Sequence, residues 1–120
     1  MRDVNYYLKR GFDQRTAEYF VGGRRRIKNA VPADDFTVIL TFDNGEIRRL
    51  DMKPAIKEGT VFAFLADPTN FRRLYLDESR CVSWDIDPTV DSRKVWNNKV
   101  DLCPDSCYLD SVPVGGGTYA

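Results

Sequence analysis

The sequence predicts an α+β domain: a small antiparallel sheet of about four strands with short helices, preceded by a basic N-terminal helical segment. A hairpin pattern is the first observation behind it. FTVILTFDNGEIRRLDM alternates apolar with polar or smaller residues before Asn44-Gly45, the strongest short-range hairpin signal. NFRRLYLD and RCVSWDI then repeat the two-residue period, with Leu74 and Leu76 on one side of the first and Val82, Trp84 and Ile86 on one side of the second. Helical signals with their caps are short and stand before, between and after these runs.

From the N-terminus, the chain reads as two short helical pieces. Asp13 is placed to cap the second, Ala17, Phe20 and Val21 share a face, and Gly22-Gly23 stops it after about two turns. RRRIKNAVPADD leads to the sheet as a linker, since Pro32 and two aspartates oppose regular structure. The hairpin is expected to join strands 36–42 and 46–52 through a two-residue turn. Phe42 then pairs with Ile47, and Leu40 shares a face with Arg49, so that either a bulge follows Ile47 or Arg49 lies at the edge of the apolar face.

Thr60 is expected to cap a helix through VFAFLAD with Val61, Phe64 and Leu65 as its apolar stripe, ended by Pro68. Strands within 70–77 and 80–86 meet at Glu78-Ser79. DPTVDSRKVWNNK is a loop with Trp96 as its anchor, and Gly115-Gly116-Gly117 belongs to a flexible tail. The organisation is therefore a basic helical extension over 1–30, an α+β core over 31–112 and a tail over 113–120.

A chain of 120 residues forms one domain and buries roughly two thirds of its unfolded surface. Apolar residues make up 42% and charged residues 30%, so a core forms without metal or disulfide. No apolar run approaches a membrane span, and MRDVNYYLKRGF lacks the apolar core of a secretory signal, which predicts a cytoplasmic protein. Three cysteines without framework spacing fit a reducing compartment in which thiols stay free. Net charge is zero, but residues 1–30 hold eight cations against three anions, leaving −5 for the remainder. Such a split suits either an acidic partner or an arm that folds back on its own body.

Histidine is absent, which excludes Ser-His-Asp triads and His-bearing zinc sites. Cys103 and Cys107 in VDLCPDSCYLDS stand four apart, with Cys81 remote, and this is neither the paired-knuckle pattern of zinc nor the C-x-x-C of redox enzymes. Asp101 and Asp105 are there to complete an oxygen-sulfur set, but nothing in the spacing asks for one. A short helix explains the stretch better, with Asp101 or Cys103 at its cap and Pro104 at its first position. Asp85, Asp87 and Asp91 lack the glycine and bidentate glutamate of a calcium loop. There is no phosphate-binding glycine loop and no cofactor motif, so neither metal nor cofactor is expected. Arg24, Arg25, Arg26 and Lys28, beside Tyr6, Tyr7, Tyr19 and Phe20, are the candidate contact residues, a cluster of the kind that meets nucleic acid. A pI near 6.2 opposes that and favours a solvated or internally paired face.

The hairpin FTVILTFDNGEIRRLDM, the stretch VFAFLADPTNFRRLYLD, the strand VSWD and the closing VDLCPDSCY occur in an order that resembles the domain of unknown function 2442 family of small bacterial proteins. That family has a strand ending in F-x-[DN]-G, an acidic residue after the second strand, a helix, a Trp-bearing strand and a D-[LI]-x-P-[DE]-x-[LC]-Y ending. The resemblance covers residues 31–110 and takes in Asp101, Pro104, Asp105 and Tyr108, but not the thiols as such. It implies a small α+β fold and no established activity. Some members are joined to, or encoded beside, DNA-binding or toxin–antitoxin components, which implies an accessory or antitoxin-like role. The DNA-binding helical domain of some relatives has no counterpart in these residues, so a nucleic-acid role would rest on residues 1–30.

The expected function is a non-enzymatic macromolecular interaction module that binds a protein partner. A nucleic-acid-binding regulator using the basic segment is the alternative, and a small enzyme is a third class. An exposed sheet edge is a second candidate surface, for pairing with another copy.

Overall fold

The computed structural model describes residues 3–114. Two helices open it, α1 (Val4–Leu8) and α2 (Gln14–Val21), each started by an aspartate, Asp3 or Asp13, whose side chain accepts a backbone N–H of the first turn. Seven strands follow: β1 (Ile27–Ala33), β2 (Thr37–Phe42), β3 (Ile47–Asp51), β4 (Tyr75–Leu76), β5 (Val82–Asp85), β6 (Lys99–Leu102) and β7 (Val112–Pro113). Helix α3 (Pro68–Phe71) precedes β4, and α4 (Pro104–Asp110) lies between β6 and β7. The α+β class is as predicted, but the strands form two antiparallel sheets, β1-β2-β3-β7 and β4-β5-β6.

The linker after α2 is a strand. Pro32 sits on β1, at the edge of its sheet, where a missing N–H costs no ladder bond, and it pairs with Val38. The hairpin turn has three residues instead of two: Gly45 N–H donates to Phe42 O at 2.9 Å, Phe42 N–H donates to Glu46 O at 2.9 Å, and Gly45 takes φ +89°. That extra residue shifts the register to Thr41↔Ile47 and Leu40↔Arg48. Arg48, not Arg49, therefore shares the face of Leu40 and is buried, 7% exposed. Phe36 belongs to the preceding turn at φ 56°, a strained value for an aromatic residue, held by edge-on packing against Phe71.

Between the sheets, Thr60 does not cap the expected helix. Its Oγ1 donates to the carbonyls of Ala55 and Lys57, Val61 is 66% exposed, and only Ala63–Ala66 form a 3-10 turn. Pro68 starts α3 rather than ending a helix, because a first-turn position has no N–H to lose and Asp67 caps it from the preceding residue. Trp96 does not anchor its loop; it is 86% exposed. Asn98 does that work, since a carboxamide both donates and accepts: its Nδ2 reaches the carbonyls of Asp87 and Val90, and its Oδ1 receives the Asp87 N–H. Pro113 and Val114, expected in the tail, are tied to β3, Val114 N–H donating to Ile47 O at 3.0 Å; residues 115–120 lie outside the described residues.

One core serves both sheets. Ile27, Val38, Leu40, Phe42, Leu50 and Met52 from the first side meet Leu65, Phe71, Val82, Trp84 and Cys107 from the second. Trp84 is wholly buried, and its indole N–H donates to Phe71 O at 2.9 Å, which removes the cost of burying that donor. Among the described residues no helix is long and apolar enough to cross a membrane.

A candidate partner-binding cleft

Helix α2 ends at Gly22, and Gly23 at φ +96° turns the chain so that three arginines follow. Tyr19, on the last turn of α2, faces inward: it stacks on Tyr108 of α4 with ring centroids 5.0 Å apart, and its hydroxyl donates to Asp105 at 2.6 Å. The same hydroxyl receives the Arg25 N–H at 2.9 Å. Burial first, then the Asp105 carboxylate, push the Tyr19 phenol pKa well up, so it remains a neutral donor. The α1–α2 unit is thereby docked on the closing helix.

Arg24 forms an ion pair with Asp105, its Nε 3.1 Å from Oδ1, and its side chain stays 68% exposed. Burial works to raise the Asp105 pKa, but Arg24 and the Tyr19 hydroxyl hold it below the usual carboxylate value. Arg25 folds back on the Gly23 carbonyl at 3.2 and 3.3 Å and lies 3.8 Å from Asp43. Arg26 is exposed. With Glu78, Ser79 and Arg80 of the β4–β5 turn and Pro104 and Asp105 of α4, these three arginines line a cleft of about 540 Å³. Across Arg25 lies a second depression of about 420 Å³, lined among others by Arg15, Glu18, Asn44 and Tyr108.

The sequence-chosen residues are thus only partly brought together. Arg24, Arg25 and Arg26 share the cleft; Lys28, exposed on β1, does not line it, and Arg80 does. Arg80 was not singled out because nothing local marks it. Its φ of 63° is left-handed, a value that an arginine adopts only under constraint. The constraint is Asp77, whose carboxylate receives the N–H groups of Ser79 and Cys81 and whose carbonyl receives that of Arg80.

Three other candidates dissolve or move. Asp85 accepts from Tyr75 and Ser92, Asp87 binds Thr89, and Asp91 binds Arg93, so the loop aspartates serve their own surroundings rather than one ion. Asp105 faces Arg24, not the thiols. Asp77, Cys81 and Asp101 do bring donor atoms within 4.8 Å of one another, but the Lys99 ammonium lies 2.8 Å from Asp77 and 3.9 Å from Asp101 and supplies the positive charge. Cys103 is the N-cap of α4 with Pro104 next, and Cys107 is buried in the core, which pushes its thiol pKa up to about 12.

Fold and site together define a class, an α+β domain with an arginine-lined cleft at the junction of its helical extension and its second sheet. No family model, no curated protein and no solved structure matches the chain.

Proposed function

We propose that this protein is a non-enzymatic interaction module that receives an acidic segment of a protein partner in the cleft of Arg24, Arg25, Arg26 and Arg80. The observation that carries the reading is the gathering of four arginines against two carboxylates, Glu78 and Asp105, in one concavity. Arginine forks recognise carboxylates bidentately, and the Arg24 guanidinium is already oriented by Asp105 while its outer side remains open. The accessory role implied by the resemblance over residues 31–110 agrees with this. Edge pairing into a homodimer has less support. Both outer strands of the larger sheet carry a proline, Pro32 and Pro113, which blunts them.

Trp96 favours a second reading, single-stranded nucleic acid. Its indole is exposed and follows Arg93 and Lys94 in the sequence, a cationic stretch with an aromatic of the kind that stacks single-stranded bases. Titration with a glutamate-rich peptide and with a single-stranded oligonucleotide of equal charge separates the two. The peptide is expected to bind, and Arg26→Glu with Arg80→Glu to weaken it about tenfold or more. Oligonucleotide binding that is lost on Trp96→Ala but indifferent to those reversals would replace the first reading with the second.

A further inference from the structure

Sequence distance makes Cys81 look remote, yet the strand register brings it to Cys103. Strands β5 and β6 pair as Val82↔Leu102, Ser83↔Asp101, Trp84↔Val100 and Asp85↔Lys99. Continued by one residue past the end of β6, that register would set Cys81 opposite Cys103, the cap of α4, whose backbone is still extended at φ −70°, ψ 153°. The kind of pair follows from the backbone hydrogen bonds. Ile86 N–H donates to Asn98 O at 2.7 Å, so positions 86 and 98 form a hydrogen-bonded pair, and alternation makes 81 and 103 a non-hydrogen-bonded one. The other side of β5 agrees: Cys81 O accepts from Asp77 N at 3.1 Å, so the polar backbone of Cys81 points at β4 and away from β6. Non-hydrogen-bonded antiparallel pairs hold their Cα atoms about 4.5 Å apart, inside the roughly 4.4–6.8 Å that a disulfide spans.

We infer that Cys81 and Cys103 are a reversible disulfide pair, which on oxidation ties the β4–β5 turn to the start of α4. Cys103 is exposed and makes the first attack: its thiolate displaces one thiolate from a low-molecular-weight disulfide and leaves a mixed disulfide on Cys103. The Cys81 thiolate then attacks the Cys103 sulfur and expels the second small thiol. Two protein thiols become one disulfide, and the oxidant becomes two thiols. Burial, then Asp77 and Asp101, raise the pKa of the Cys81 thiol against the opposing Lys99, so it is the resolving partner. Cys107 stays out of the exchange, since its sulfur is buried beneath α4 among Leu50, Met52 and Leu102.

The pair also bears on the cleft. Arg80 precedes Cys81 and Pro104 follows Cys103, and both line the arginine cleft, so the bond fixes two of its walls. This consequence rests on the proposed binding role; the bond itself does not.

The native protein is incubated with glutathione disulfide and then alkylated, digested and mapped without reduction. The expected product is a monomer lighter by two hydrogen atoms with residues 81 and 103 joined, formed equally by Cys107→Ala and lost in Cys81→Ser and Cys103→Ser. Its Tm should lie roughly 10 °C above that of the reduced form. A Cys103–Cys107 link, a persistent glutathione adduct on Cys103, or only intermolecular dimers would overturn the inference. In the oxidised form the glutamate-rich peptide should bind roughly threefold tighter, because two cleft walls are ordered beforehand. Equal affinity would overturn the effect on the cleft, and a bond that forms in a protein with no peptide affinity would fail the binding role alone.

Discussion

Among the described residues, Arg48 in the four-stranded sheet and Asp77 at the end of β4 carry charges on side chains only 8% exposed, and the two are solved in opposite ways. In the four-stranded sheet the charge is Arg48, which lies on the apolar face beside Leu40. Its guanidinium donates to Ser111 Oγ at 2.8 Å, Ser111 O at 2.7 Å and Glu46 at 2.9 Å, and its carbon sits 4.2 Å from the centre of the Tyr108 ring. Tyr108 completes the ring of contacts by donating to Glu46 at 2.7 Å. In the three-stranded sheet the charge is Asp77, on the polar face, which takes two turn N–H groups, Ser83 and Lys99. Arg48 gathers partners 63 residues away, whereas most of those of Asp77 lie within six residues. A buried cation here joins distant parts of the chain; a buried anion shapes one turn.

Replacing Arg48 by Ala should therefore have the largest effect. It removes the cation beside Glu46, leaves the Ser111 carbonyl without its donor and loosens the end of α4, and a loss of about 3 kcal/mol in chemical denaturation is expected. Arg48→Met, which keeps the volume and removes the charge, sharpens the point. If it proves as stable as the parent, the arginine specifies the register rather than stabilising the fold.

Asp77→Asn should cost less, about 1–3 kcal/mol, because the turn keeps a side-chain acceptor while losing its charge. Its pH dependence separates the two charges further. Burial raises the Asp77 pKa, but Lys99 and the N–H groups of Cys81 and Ser79 outweigh it and leave the folded-state pKa below the unfolded one. The stabilisation is thus complete above about pH 4 and is lost as pH falls through the lower folded value. Denaturation midpoints measured from pH 6 downward should fall more steeply for the parent than for Asp77→Asn. Parallel curves would mean that the carboxylate contributes nothing through its charge. The smallest effect belongs to the exposed indole: Trp96→Ala should change stability by no more than about 0.5 kcal/mol, since the loop is tied by Asn98.

The same contrast explains what could be read from residues alone. Asp13 as a cap, Gly22-Gly23 as a stop, Pro104 at the first position of α4 and the turn around Glu78-Ser79 are local arrangements, set by backbone groups within a few residues, and all were legible. The hairpin was legible as a hairpin, but a turn of two residues and one of three have the same Asn-Gly signal, and that one residue exchanges Arg49 for Arg48 on the buried face. Trp96 illustrates the reverse error: an aromatic in a polar loop suggests an anchor, yet the loop's unpaired backbone groups needed a donor and acceptor that only Asn98 supplies.

Of the cleft, Arg24 to Arg26 stand out as a charge cluster in the sequence, with Tyr19 near them; that Tyr19 and Arg24 meet Asp105 does not, because those contacts span 86 and 81 residues, and nothing local marks Arg80. By itself, then, the sequence determined the α+β class, both ends of α2, the start of α4 and the absence of histidine chemistry, since composition and short-range hydrogen bonding decide these. Tertiary structure alone decided that the strands divide into two sheets, that Pro32 lies on an edge, that Arg80 joins the other arginines and that Val82, next to Cys81, pairs with Leu102, next to Cys103. Register and sheet order arise from packing both apolar faces into one core, and no short window of residues contains that balance.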